Sequence, residues 1–156
     1  MPRDYTVTFE KVSVDAVQDL FQIKGGSSVM VEIIGFNIDC ADTAAPTDQQ
    51  VAVRCRYLPA TVTDGSGGSS PTPQKFDQGD SAAVFTAKAN NTTQATTNGT
   101  AVIRWEGGFN IRAGIEKFFV SKPKIMSGQS FTVEIITTPA TTLTLSGTIL
   151  CRGHAG

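Results

Sequence analysis

Apolar and polar residues alternate with a period of two through most of this chain. The clearest case is Gln50–Leu58, where Val51, Val53, Cys55 and Tyr57 fall on one side and Gln50, Ala52, Arg54 and Arg56 on the other. Successive side chains of a strand point to opposite faces of its sheet, so this pattern predicts a half-buried strand. Tyr5, Val7 and Phe9 alternate with Thr6 and Thr8 in the same way. Residues 29–38 are apolar on both faces apart from Glu32, Gly35 and Asn37, which predicts a central strand covered on both sides, with a bulge at Gly35. After the Asn98-Gly99 turn pair, Ala101, Ile103 and Trp105 share one face of a further strand, and Gly107-Gly108 reads as its closing turn. Residues 115–120 predict another strand, closed by Pro123. The end of the chain reads as a hairpin, with Phe131, Val133 and Ile135 in one arm, Leu143, Leu145, Ile149 and Cys151 in the other, and Pro139 at the corner.

Other stretches are less decided. Residues 12–18 suit strand, bend or one helical turn, and 81–88 suit strand or short helix. Residues 90–98 are rich in Thr and Asn and read as too polar for a core. No segment holds a helical period over ten or more residues. The expectation is an all-β chain of eight to ten short strands in one antiparallel domain, a sandwich, jelly roll or barrel. Within that domain, residues 1–9 are expected as an N-terminal arm, 59–82 as a long flexible loop and 152–156 as a frayed tail.

Composition agrees with sheet. Of 156 residues only 17% are charged, and 15 Gly with 7 Pro supply turns. A chain of this length buries roughly 70% of the surface it exposes when unfolded, so it needs no metal or disulfide to fold. The net charge of −1 creates no field that would draw the chain to nucleic acid or an anionic membrane, and neither is expected as a partner. No signal peptide is read at the N-terminus and no apolar run reaches the length of a membrane span. Cys40, Cys55 and Cys151, odd in number and widely spaced, read as reduced thiols.

Candidate chemistry is sparse. A hydrolytic triad needs a base held against a nucleophile, and the single histidine, His154, falls in the expected tail. The cysteines and histidine lack the short paired spacings of a zinc site. Asp39, Asp42 and Asp48, and Asp77 with Asp80, are loop carboxylates without the calcium-loop pattern, and read as turn formers. Glu32, Glu106, Glu116 and Glu134 read as solvent-face charges on strands rather than a glycosidase pair. Gly65-Ser66-Gly67-Gly68 lacks the Lys-Ser/Thr and helix of a phosphate loop. Asn90, Asn91 and Asn98 begin Asn-x-Thr matches, which matter only in a secreted eukaryotic chain. No catalytic residue, cofactor or metal is therefore assigned. Trp105, Phe109, Phe118 and Phe119, near Arg104, Arg112 and Lys117, are core or a partner surface. Phe118 and Phe119 are adjacent, so one of them leaves the sheet face that the other covers.

Five blocks of the chain resemble a known family. They are 63–73 (Thr-Asp-Gly-Ser-Gly-Gly-Ser-Ser-Pro-Thr-Pro), 80–87 (Asp-Ser-Ala-Ala-Val-Phe-Thr-Ala), 90–93 (Asn-Asn-Thr-Thr), 109–113 (Phe-Asn-Ile-Arg-Ala) and 145–148 (Leu-Ser-Gly-Thr). In this order they resemble small all-β virion structural proteins of tailed bacteriophages and prophages, over nearly the whole length from Tyr5 to Cys151. The resemblance implies a non-enzymatic capsid decoration (cement) protein on the virion surface. It implies a homotrimer whose partner is the major capsid protein. Contacts with neighbours would then fall on the arm, residues 1–9, and the loop 61–73 (Tyr5, Thr63, Asp64, Pro71, Pro73), and on Trp105, Phe109 and Arg112. The alternative is a receptor- or glycan-binding module of a phage fibre or head spike, for which Trp105 and the Asn/Thr loops would stack and bind sugar.

Overall fold

A computed structural model describes residues 1–155, and every regular element in it is a strand. Three long strands open the chain: β1 (Pro2–Val14), β2 (Gln18–Lys24) and β3 (Val29–Cys40). β4 (Gln50–Leu58) is followed by an insertion that carries the short strands β5 (Val62–Thr63), β6 (Gln74–Lys75), β7 (Thr86–Asn91) and β8 (Thr96–Thr97). The chain then continues through β9 (Val102–Asn110), β10 (Ile115–Phe118), β11 (Lys124–Ile125), β12 (Ser130–Ile135) and β13 (Leu143–Ala155).

The strands form two antiparallel sheets packed as a sandwich. The first runs β10-β3-β13-β1-β6, with β11 also paired to β3; the second runs β7-β2-β12-β4-β9. Without the short strands, the orders are β1-β13-β3-β10 and β2-β12-β4-β9. Consecutive strands β1/β2, β3/β4, β9/β10 and β12/β13 each switch sheets. That is the topology of a jelly roll, and it places the core where the alternating apolar faces of both sheets meet. Phe9 and Phe21 meet there with ring centroids 5.0 Å apart, and Phe119 meets Phe131 edge-on at 6.0 Å.

The all-β sandwich matches the alternation in the sequence, but several local expectations need correction. Residues 1–9 are not an arm: β1 pairs along its length with β13, and Tyr5, Val7 and Phe9 are buried. Residues 152–155 are not a frayed tail: β13 is paired on both sides, with Gly153 opposite Arg3 and Val31. The last residue of that expected tail, 156, lies outside the described residues. The two arms of the expected terminal hairpin do not pair, because β12 lies in the second sheet and β13 in the first. Alternation shows which face of a strand is buried and not which sheet the strand joins. Gly107 and Gly108 do not turn; β9 runs through both and pairs with Val53 and Ala52. Residues 90–98 are not too polar for the interior, since Asn90, Asn91 and Ala95 are buried. The expected irregularity near Gly35 is present, as the register of β3 against β13 slips between Gly35 and Ile33. β3 alternates in burial instead of being covered on both sides.

The segment 59–82 lacks long strands, yet hydrogen bonds tie it down. Ser66 and Thr93 exchange two backbone bonds of 3.0 Å, as do Ser69 and Ala89. The glycines of this stretch serve close approach. A Cβ on Gly65 would lie 2.3 Å from Asn91 Nδ2, and one on Gly68 would lie 2.1 Å from the Ala89 carbonyl oxygen. The insertion then sends β6 to the free edge of β1 and β7 to the free edge of β2. It thereby clips both sheets on one side of the sandwich.

A test follows from these contacts. Gly68→Ala drives a methyl against backbone that cannot give way and is expected to cost about 1–3 kcal/mol in a urea melt. Gly108→Ala, whose new Cβ meets nothing nearer than 3.5 Å, is expected to leave the midpoint within error of the parent.

Candidate functional site

The two outer faces of the sandwich are treated differently by the chain. The outer face of the second sheet carries Asp19, Gln22, Ser130, Thr132 and Glu134, and all five are buried. What buries them is the insertion. Glu134, 0% exposed, pairs with Arg54 at 2.8 Å and with Arg56, both presented by the neighbouring β4. Asp19 sits opposite Glu134 across β2 and β12 and has no cation of its own. It accepts instead from the Ala95 backbone N–H at 2.8 Å and from the Asn91 and Gln94 side-chain amides at 3.3 Å. Gln94 also donates to Glu134 at 3.1 Å, so one amide bridges both acids. Gln22 accepts from the Gly65 N–H and from Asn91, and donates to Asp64. A buried polar layer thus fastens the insertion to the sheet. Burial pushes the Asp19 carboxyl up to about 6; the bonds from Ala95 and Asn91 oppose the rise, and the Glu134 charge adds to it.

The outer face of the first sheet is bare. Across it runs a row set by register: Thr6 opposite Leu150, Leu150 opposite Gly35, and Gly35 opposite Phe118. Gly35 permits this row, because a Cβ there would lie 2.5 Å from the Lys117 carbonyl oxygen and 2.7 Å from the Phe118 ring. Phe118 and Phe76 stand on either side, 57% and 71% exposed, and enclose an apolar groove of about 210 Å³ over Leu150 and Gly35. At one end the groove meets Asn37, Thr148 and Glu116. Farther along the same face, Arg152 grips Asp4 with bonds of 2.7 and 3.0 Å, which holds the Asp4 carboxyl below its usual value. Glu32 lies 3.1 Å from His154 Nε2 and 3.5 Å from Lys124 Nζ; burial raises it, but its bonds to these two side chains outweigh burial and hold it low. His154 is therefore a strand residue beside a carboxylate.

The eight residues assigned from the sequence as partner contacts do not converge. Tyr5, Pro73 and Phe109 are buried, so they are removed from an exposed contact set. Tyr5 uses its hydroxyl on the Ser81 carbonyl at 3.1 Å. Thr63 pairs with Thr96 in the small β5-β8 ribbon, and Asp64 is engaged by Gln22 and Lys24. Pro71 is half-buried in the insertion. Trp105 is half-buried, edge-on to Phe36 at 6.1 Å with Lys117 over its ring at 5.5 Å, so it is not a free stacking platform. Arg112 closes the loop at the opposite end by donating to the Pro46 carbonyl at 3.0 Å.

The loop acids likewise have local duties: Asp77 accepts from Gly79 N–H at 2.9 Å and Asp42 from Cys40 Sγ at 3.0 Å. No three His, Cys, Asp or Glu side chains converge on a metal-sized space among the described residues. Sequence reasoning missed Phe76 and Leu150, because a single apolar residue in a turn or on a polar face looks incidental until strand register assembles the row. No protein-family model matches the chain, and no curated protein matches it.

Two predictions rest on these environments. Asp19 binds its proton more tightly folded, at about 6, than at the unfolded value of 3.8. Its contribution is therefore greatest below pH 3.8 and is lost as pH rises through about 6. In paired urea melts, the parent is expected to lose about 2 kcal/mol relative to Asp19→Asn between pH 4 and pH 7. A pH-independent difference between the two would contradict this environment. Cys55 and Cys151 are buried and their thiols are pushed far up by desolvation. A thiol reagent should label only Cys40 in native protein, and slowly, since burial and Asp42 raise that thiol also. All three should label in denaturant.

Proposed function

We propose that the chain is a non-enzymatic structural protein of a tailed-phage head, which binds the outside of the shell and braces neighbouring major capsid subunits. The observation that carries the reading is the locked insertion. Its longest excursion is fastened to the second sheet through the buried layer of Asp19, Gln22 and Glu134 and clipped to both sheet edges, rather than held open over a cleft. A brace works only if it does not yield, and this arrangement turns the longest loop of the chain into part of a rigid body. The jelly-roll topology adds support as an analogy of fold, since the same architecture serves viral capsids as well as lectins. The block order from 63–73 to 145–148 supplies the family resemblance.

The mechanism requires no chemistry. A body that binds the expanded shell better than its precursor stabilises the expanded state by mass action. A trimer would multiply weak contacts through effective concentration.

Purified protein should co-sediment at a fixed ratio with expanded shells of the parent phage that lack it, and should raise their resistance to heat. Protein left in the supernatant at every concentration would refute the head-surface role.

A further inference from the structure

We propose that the free edge of β9 is a docking site for an extended segment of another protein, which adds to the second sheet as an antiparallel strand and alternates basic with apolar residues. β9 ends that sheet and pairs only with β4, so along its nine residues one row of backbone groups has no strand beside it among the described residues. Elsewhere the chain blunts its edges. β6 lies against β1, and beyond it the edge of β1 is broken by the bulge between Phe9 and Val12, where Glu10 and Lys11 are exposed. β7 is met by Ser69, and the edge of β3 is shared between β10 and β11, four and two residues long. Short strands, bulges and charges are the usual protections of a sheet edge. The one bulge of β9 falls at Arg104 and leaves residues 105–110 in regular register.

That register fixes which groups are free. Ile111 N–H donates to the Gln49 carbonyl at 3.0 Å, and bonded pairs recur at every second position of an antiparallel ladder. Trp105, Gly107 and Phe109 therefore turn their backbone groups towards β4. The N–H and C=O of Glu106 and Gly108 point the other way, out of the edge. Gly107 and Gly108 bring no side chain to obstruct an approach. Backbone donors and acceptors at a two-residue spacing are matched by an extended backbone.

Side chains on the two faces narrow the occupant. Glu106 is exposed on the outer face beside Arg54, which is turned to Glu134, and it makes no ion pair among the described residues. A residue opposite Glu106 shares its face, so a lysine or arginine there would gain an unmatched acid. On the inner face the half-buried Trp105 ring lies along Gly107, where a Cβ would come within 2.6 Å of it. A residue opposite Gly107 would rest against that ring, which suits an apolar side chain. The β9 strand of a second copy fits poorly, because it would set another Glu106 on the same outer face.

Hydrogen exchange of the full chain, followed by NMR, tests this with an acetylated, amidated octapeptide of alternating lysine and valine. In excess peptide, exchange of the Glu106 and Gly108 amides is expected to slow about tenfold. The bound lysines would stand opposite Glu106 and Gly108 and turn their own N–H groups to β9. N-methylation of the lysines should therefore abolish the protection, and N-methylation of the valines should leave it. Glu106→Lys should abolish it with this peptide and restore it with an alternating glutamate–valine peptide. Unchanged exchange in excess peptide would overturn the proposal. So would protection that survives methylation of the lysines, which would be charge attraction alone. Glu106 and Gly108 amides already protected in an oligomeric free protein would overturn it too, by giving the edge to a second copy. Failure here leaves the head-surface role standing, and failure to bind shells leaves the strand site standing.

Discussion

A carboxylate with no exposure at all, Glu134, sits on the outer side of a sheet, and much of this architecture answers to it. An ion taken out of water costs several kcal/mol unless it is paired and hydrogen-bonded. Arg54 and Arg56 supply the charge from the next strand, and Gln94 supplies a further donor from the insertion. Asp19, directly across the ladder, has amide donors only, and burial makes it hold its proton more tightly in spite of them. The donors to Asp19 all come from 91–95, and Glu134 takes one of its own from there, so the insertion cannot leave the sheet without stranding the buried Asp19 carboxyl. That dependence couples a segment with little regular structure to the stability of the sandwich.

The same coupling explains the asymmetry of the molecule. Polar side chains on the second sheet's outer face are met by polar groups of the insertion. The first sheet has no such cover; its outer face holds Thr6, Thr148 and Leu150 between two phenylalanines and ends in the Asp4–Arg152 pair. Chain that might have protected this face is already committed elsewhere. What remains exposed is apolar at its centre and charged at its margins.

Much of the fold was legible in the sequence. Val51, Val53 and Cys55 alternate because one side of a pleated strand faces the core, and that rule holds whatever the neighbours are. The misreadings have a common cause. Phe131-Val133-Ile135 and Leu143-Leu145 look like two arms of a hairpin, since both alternate and a turn lies between them. Two strands that pack face to face across a sandwich alternate in the same way. Gly107-Gly108 and Gly65-Ser66-Gly67-Gly68 contain similar residues, yet the first pair continues a strand and the second run permits backbone contact with β7 and the residues just after it. The candidate surface was less legible still: of its two walls, Phe118 was singled out, while Phe76 lay in what read as a long flexible loop.

By itself, then, the sequence determined the strand faces, the all-β class and the absence of a long helical segment, because those depend on near neighbours and a fixed period of two. Tertiary structure decided which sheet each strand joined, that Tyr5 and Gly153 lie within paired strands, and that Asp19, Asn91 and Glu134 are interior. It also decided that Leu150, Gly35 and Phe118 share a row. These are matters of register and partner between residues far apart in the chain, and a local pattern carries no record of them.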